Sequence, residues 1–348
     1  KEQNMRDQIV LITGATAGLG LHAAKEYYRR GATLLLTCRD HVRGKAAVDD
    51  IHASCGVLVQ KTESDEDTVV REAGGGGDGD DTVDRAVEQA NPRIHLFELE
   101  LTDYRSVLQF AQDVAKTVPR VDVVVCNAGI MGLPFELSRE GVERHFHSNH
   151  LGHFIMVNHL LPLLIAAPSA RVLVVTSGLY KGAEALPTVK ELMGETLWDY
   201  QSRKAYAVSK LANCLYVKAL ASRLTMSCPT VSVYAIRPGF VRGTELGRET
   251  HWLLRKVAAP LIWLVSRSLD KGITGYIHCA TAAKETLKNG ALYFDTQEEE
   301  YLPTVTEEHG DFLWRCSREI EELIVRRREN LTVDERRLYQ EARNRLPG

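Results

Sequence analysis

The stretch Thr13-Gly14-Ala15-Thr16-Ala17-Gly18-Leu19-Gly20 carries the densest information in this chain. It follows a short apolar run, residues 8–13, and opens a helical pattern over residues 19–30. Glycines let the backbone approach a phosphate closely. A helix N-terminus adds free N–H donors and the positive end of its dipole. In a strand–turn–helix setting, the G-x-x-x-G-x-G spacing predicts a dinucleotide-phosphate turn built from Gly14, Thr16, Ala17, Gly18, Leu19 and Gly20.

Working outward, short apolar runs recur at residues 33–37, 96–99, 121–126, 171–176 and 231–236. Helix-length segments lie between them at 41–53, 103–117, 141–165 and 201–224. The runs are near-continuously apolar, as strands buried on both faces require. The alternation predicts a Rossmann-type doubly wound parallel α/β sheet, one domain over residues 1–310, and a helical tail over 311–348. The length of 348 residues, 44% hydrophobic and 26% charged, suits one large α/β domain with a real core. A net charge of -3 argues against nucleic-acid binding through bulk charge. Seven scattered cysteines without C-x-x-C argue for a reducing, intracellular setting, cytoplasmic or at an organelle membrane. The chain begins at Lys1, which leaves room for an upstream segment, and shows no secretory signal.

The second predicted strand ends Leu36-Thr37-Cys38-Arg39-Asp40, where the chain meets the adenosine ribose. An acid there accepts from both ribose hydroxyls, whereas an arginine pairs with a 2′-phosphate. Arg39 therefore predicts NADP(H) over NAD(H), with Asp40 as the competing signal.

Tyr206-Ala207-Val208-Ser209-Lys210 places Tyr and Lys at i and i+4 on one helix face. Tyrosine ionises near pH 10, and a neighbouring ammonium lowers that value, so the pair can exchange a proton with a carbonyl or alcohol oxygen. Y-x-x-x-K alone is more often surface decoration. Ser177 closes an apolar strand at its carboxyl end, where open α/β sheets bind ligands. Cys126-Asn127-Ala128-Gly129 closes another, as a second small-residue turn.

With these motifs in this order, the chain resembles the short-chain dehydrogenases/reductases from about residue 8 to residue 323. The carriers are Thr13-Gly14-x-x-x-Gly18-x-Gly20, Asn127-Ala128-Gly129, Ser177, Tyr206-x-x-x-Lys210 and Pro238-Gly239. Cys38-Arg39-Asp40, Asn149-His150-Leu151-Gly152-His153-Phe154, Arg242 with Thr244-Glu245-Leu246, and Leu313-Trp314 resemble the retinol-dehydrogenase branch. The resemblance implies Tyr206 as general acid/base. It implies that Lys210 tunes Tyr206 and holds the nicotinamide ribose, that Ser177 bonds the substrate oxygen, and that Asn149 fixes a relay water. It further implies Asn127, Ala128 and Gly129 along the cofactor, Glu100 with Leu101 near the adenine in place of the usual Asp, and Pro238, Gly239, Val241 and Thr244 in the cofactor set. Gly243 adds a residue before Thr244, and the Ser177-to-Tyr206 spacing is wide, as in the retinol branch. The family's helices corresponding to 141–165 and 201–224 often pair across a homodimer. The substrate implied is a small apolar carbonyl or alcohol: a retinoid, a steroid or a lipid aldehyde. A non-catalytic nucleotide-binding sensor of the same fold is the rival, disfavoured by the intact Asn149, Ser177, Tyr206 and Lys210. An epimerase-type member is disfavoured by the glycine spacing.

The remaining stretches carry further signals. Residues 62–92 are acidic and Gly-rich and predict a flexible surface insertion that leaves the chemistry alone. Its acids do not fit an EF-hand loop, with Val83 and Gln89 at the wrong places. Residues 145–170 carry no Asp, Glu, Lys or Arg yet hold His147, His150, His153, His159, Asn149, Asn158 and Pro162, which predicts a buried helix over 151–165 and no membrane span. His147, His150 and His153 step along one helix side without implying a metal. Finally, the apolar run near 251–266, within a substrate-covering region at 240–268, predicts either a flap over an apolar substrate or a peripheral membrane contact. The tail's mixed charges predict a solvated helix.

Overall fold

The computed structural model describes residues 4–60, 69–72, 93–196, 199–241, 266–328 and 331–346. The first half runs β1 (Ile9–Ile12), α1 (Gly18–Arg29), β2 (Thr33–Cys38), α2 (His41–Ser54), β3 (Val57–Gln60), β4 (Val69–Glu72), β5 (Ile94–Glu98), α3 (Tyr104–Thr117) and β6 (Val123–Cys126). It continues with α4 (Arg144–Phe146), a π-helical turn (His147–Leu151), α5 (Gly152–Ile165), β7 (Ala170–Val175), α6 (Val189–Leu192), α7 (Ser202–Ser227) and β8 (Val231–Ile236). The last part holds α8 (Leu269–Gly272), α9 (Thr274–Thr281), β9 (Leu292–Phe294), β10 (Gln297–Glu299), α10 (Glu307–Arg327) and α11 (Val333–Arg345).

Eight strands form one sheet in the order β10-β9-β8-β7-β6-β1-β2-β5. Every pair is parallel except β9 with β10. This is the doubly wound Rossmann-type sheet. Strand order reverses between β1 and β6, so the crevice beyond their carboxyl ends is the topological switch point. Thr13 follows β1 there and Asn127 follows β6.

Successive β1 side chains serve opposite faces, as the period of two demands. Leu11 joins a core with Phe154, Leu211 and Trp314, while Val10 and Ile12 join one with Tyr27 and Tyr276. Helix α5 is apolar nearly all round because it is buried nearly all round. Among the described residues no helix is long and apolar enough to cross a membrane.

Two expectations change. Within the acidic insertion, residues 69–72 form a strand antiparallel to residues 57–60 as a separate two-stranded unit; the rest of 62–92 lies outside the described residues. The C-terminal helices are present but not simply solvated. Leu313, Trp314, Ile320 and Ile324 of α10 are buried, and Trp314 meets Phe154 edge-on at 4.9 Å. Helix α10 lies against α7 and α11 against α5. Charge counting missed this because the polar residues sit on one side of an amphipathic α10 and the apolar ones face the domain. Arg328, between the two helices, donates to Asp103 at 2.9 Å and also to Glu140, fastening the tail to the start of α3.

Candidate active site

The phosphate turn is built by close approach. Gly14 adopts φ +66°, and a methyl added to it would sit 2.9 Å from Ala128 Cα. A side chain on Gly20 would meet Gly14 O at 2.3 Å and Asn127 Nδ2 at 2.5 Å. Only glycine lets the first turn of α1 sit on this loop. Ala17 precedes α1 in extended conformation and has no side-chain cap, so the N-terminal amides face outward as donors.

Thr13 and Asn127 knit the two small-residue turns together. Asn127 and Ala128 donate their amides to Thr13 Oγ1 at 2.9 and 3.0 Å. The Asn127 side chain donates to Thr13 O at 2.8 Å and accepts from Tyr276 Oη at 2.9 Å. Tyr276 is in turn held by Tyr27, which donates to its carbonyl at 3.0 Å.

Asn149 lies in the π-helical turn, a local widening of the helix that re-aims side chains. Its amide clamps Ile130, accepting from Ile130 N at 2.8 Å and donating to Ile130 O at 3.0 Å. It also donates to Ser209 Oγ at 2.9 Å, which donates to Tyr206 O at 2.7 Å. Asn149 thereby joins the Gly129 turn to α7. A methyl on Gly129 would sit 3.2 Å from Asn149 Oδ1 and 3.6 Å from Lys210 Nζ, so both side chains converge above this glycine.

Ser177 follows β7, and Tyr206 and Lys210 lie on α7. All three sit at the carboxyl edge of the sheet. Thr176 Oγ1 donates to Lys210 O at 2.9 Å and pins α7 to that edge. Burial raises the Tyr206 phenol, and a hydrogen bond from Ser177 opposes the rise. Lys210 Nζ stands 5.8 Å from the Tyr206 ring centroid and donates to Val175 O at 3.0 Å. Burial pushes Lys210 down to about 8. Ser177 is a neighbour that favours the phenolate here.

At the adenosine end, the exposed Arg39 guanidinium lies 3.8 Å from Glu100 Oε2. Glu100 Oε1 is occupied by the Thr102 amide and hydroxyl, at 3.0 and 2.7 Å. Leu101 is buried, its carbonyl under Gly152. Arg267 donates to Pro238 O at 3.1 Å next to Gly239. Val241 and Leu19 pack on Gly272. Thr244, Arg242 and the apolar run 251–265 lie outside the described residues.

The histidines have separate partners. His145 meets Glu143, His147 meets Ser138 and His150 meets Ser317, at 2.9, 2.8 and 2.9 Å. Burial pushes His147 and His150 down to about 3. Among the described residues no group of three metal-ligating side chains comes together. Sequence reasoning gave no role to Thr13's side chain, Ser209, Tyr276 or His153; Ser209 meets Asn149 from 60 residues away, and His153 meets Thr13 from 140.

A family model described as short chain dehydrogenase matches residues 76–187. Retinol dehydrogenase 14 of Mus musculus is 36% identical over 308 residues, covering 87% of this chain and 82% of its own. The crystal structure of an uncharacterized protein from Mycobacterium Paratuberculosis superposes with TM-score 0.65 at 25% identity, covering 92% of this chain and 96% of that one. A short chain dehydrogenase from Escherichia coli CFT073, crystallised with NADPH, shares the fold at TM-score 0.57 and 21% identity, covering 85% and 99%. Together with the sheet order and the two small-residue turns, these likenesses place the chain in the short-chain dehydrogenase/reductase family, as an NAD(P)-dependent oxidoreductase acting on CH–OH groups.

Proposed function

We propose that this chain interconverts a carbonyl and an alcohol on an apolar substrate, a retinoid, steroid or lipid aldehyde, with NADP(H) as its preferred cofactor. The observation that carries the reading is the Ser177–Tyr206 pair at the carboxyl end of β7, one helical turn from Lys210 and beside the phosphate turn.

The chain's residues fit the cofactor. The uncapped N-terminus of α1 and the Gly14–Gly20 contact leave room and donors for a pyrophosphate. Asp40 is committed elsewhere: its carboxylate caps α2, accepting from Val42 N at 2.8 Å and Arg43 N at 3.4 Å. The acid that would favour ribose hydroxyls is thus engaged, while Arg39 is 63% exposed, held among the described residues only by the long contact to Glu100, and can turn to a 2′-phosphate. When bound, the nicotinamide supplies the hydride in reduction and accepts it in oxidation.

Tyr206 gives its hydroxyl proton to the carbonyl oxygen during reduction and takes it back from the alcohol during oxidation. Ser177 donates to the same oxygen and steadies its developing charge. Lys210 would hold the nicotinamide ribose, and Asn149 orients this end of α7 through Ser209. The apolar run at 251–266 favours an apolar substrate, and the name of the 36% identical relative favours a retinoid.

The test is oxidation of NADPH, with NADH alongside, against all-trans-retinal, a steroid ketone and medium-chain aldehydes. Turnover with NADPH and one of these carbonyls supports the reading. Tight NADPH binding without turnover on any of them favours the non-catalytic sensor instead.

A further inference from the structure

His153 is fully enclosed on α5, one helical turn beyond Asn149, and its two ring nitrogens reach two different parts of the site. Nδ1 lies 3.2 Å from the Asn149 carbonyl, and Nε2 lies 2.8 Å from Thr13 Oγ1. A carbonyl only accepts, so Nδ1 carries the proton and Nε2 is left as an acceptor. Thr13 must then donate its hydroxyl proton to Nε2. Its oxygen lone pairs receive the Asn127 and Ala128 amides at 2.9 and 3.0 Å. Each polar group is satisfied in one arrangement only. Val125 O, the competing acceptor for Thr13, is farther away at 3.3 Å.

We propose that His153 is a positioning residue: it couples the phosphate turn at Thr13 and the Asn127–Gly129 turn to the Asn149 peptide, so that the cofactor platform and the proton-transfer helices keep one geometry. The inference rests on the proposed function above. The coupling is specific because a hydrogen-bond chain with fixed direction runs from the Asn127 amide through Thr13 and His153 to Asn149. Burial keeps the ring neutral, pushing it down to about 4, so the direction does not reverse at working pH. Phenylalanine or leucine fills the same space but supplies neither bond. Asparagine can keep the donation to the Asn149 carbonyl, and glutamine can keep an acceptor toward Thr13.

The test uses the full chain. Long-range ¹H–¹⁵N correlation on histidine reads the tautomer directly. Nδ1–H is expected, and Nε2–H would overturn the proposal. His153→Leu and Thr13→Val should each weaken binding of the preferred nicotinamide cofactor, and lower kcat, by roughly tenfold, the scale of a buried group losing its partner. The double variant should lose little more than either single one, because both break one chain. Thr13→Ser, which keeps the hydroxyl, should restore both parameters. A lowered Tm with unchanged affinity and kcat would reduce His153 to a packing residue and overturn the proposal, as would additive losses. Tautomer and cofactor affinity are read without turnover. A wild-type chain that reduces no tested carbonyl would therefore sink the proposed reaction while these two readouts still decide the role of His153.

Discussion

Arg39 Nη1 and Glu100 Oε2 face each other at 3.8 Å across the carboxyl ends of β2 and β5. The pair is exposed and long, worth little as a salt bridge. A 2′-phosphate would replace one carboxylate by a stronger, bidentate partner for the same guanidinium. Arg39→Ala should therefore weaken NADPH binding by roughly tenfold or more and leave NADH binding nearly unchanged, as read by fluorescence titration of both cofactors. Equal loss for the two would contradict a 2′-phosphate role.

Gly20→Ala tests the close approach of α1 to the phosphate turn. Its new methyl would lie 2.3 Å from Gly14 O, a backbone atom that cannot swing aside. The expected outcome is at least a hundredfold loss of cofactor affinity with a smaller loss of Tm. That scale follows from about 3 kcal/mol of misfit at a site where the backbone must move.

Glu321 sits fully buried on α10, and burial raises its carboxyl to about 7 from 4.5. It faces Arg318 on its own helix, Arg343 and Tyr339 on α11, and Tyr104 on α3. Between these two values the folded chain holds a proton that the unfolded chain has lost, so stability falls as pH rises through this window. The total is about 3 kcal/mol by proton linkage. Glu321→Gln should flatten the Tm-versus-pH curve between about pH 5 and 7 and raise Tm at pH 8. An unchanged slope would contradict the burial argument.

Helices α5 and α7 are covered within the chain by α11 and α10. Leu313 and Trp314 of α10 and Tyr339 of α11 are buried in this packing. Light scattering behind size exclusion should return a monomer mass. Trp314→Ala should lower stability by about 3–5 kcal/mol, as expected for a buried large aromatic, measured by denaturant unfolding.

Much of this architecture was legible because each signal was local. The strands read as apolar runs, Asp40 and Asp103 mark the starts of α2 and α3 as side-chain caps, and the glycine turns announce themselves by spacing. What escaped was everything set by long-range pairing. Nothing near Thr13 says that its hydroxyl meets His153, and nothing near Trp314 says that it packs on Phe154. The Tyr206–Lys210 spacing correctly put both on one helix face. Their electrostatics depend on burial and on Ser177, which spacing does not encode.

The proposed proton transfer by Tyr206 is tested most directly by Tyr206→Phe. The assay is NADPH oxidation with all-trans-retinal and the other lipid carbonyls, paired with NADPH affinity and Tm. The expected result is at least a hundredfold loss of kcat with affinity and Tm close to wild type, the scale of a general acid removed. Turnover that survives the substitution undiminished would contradict it.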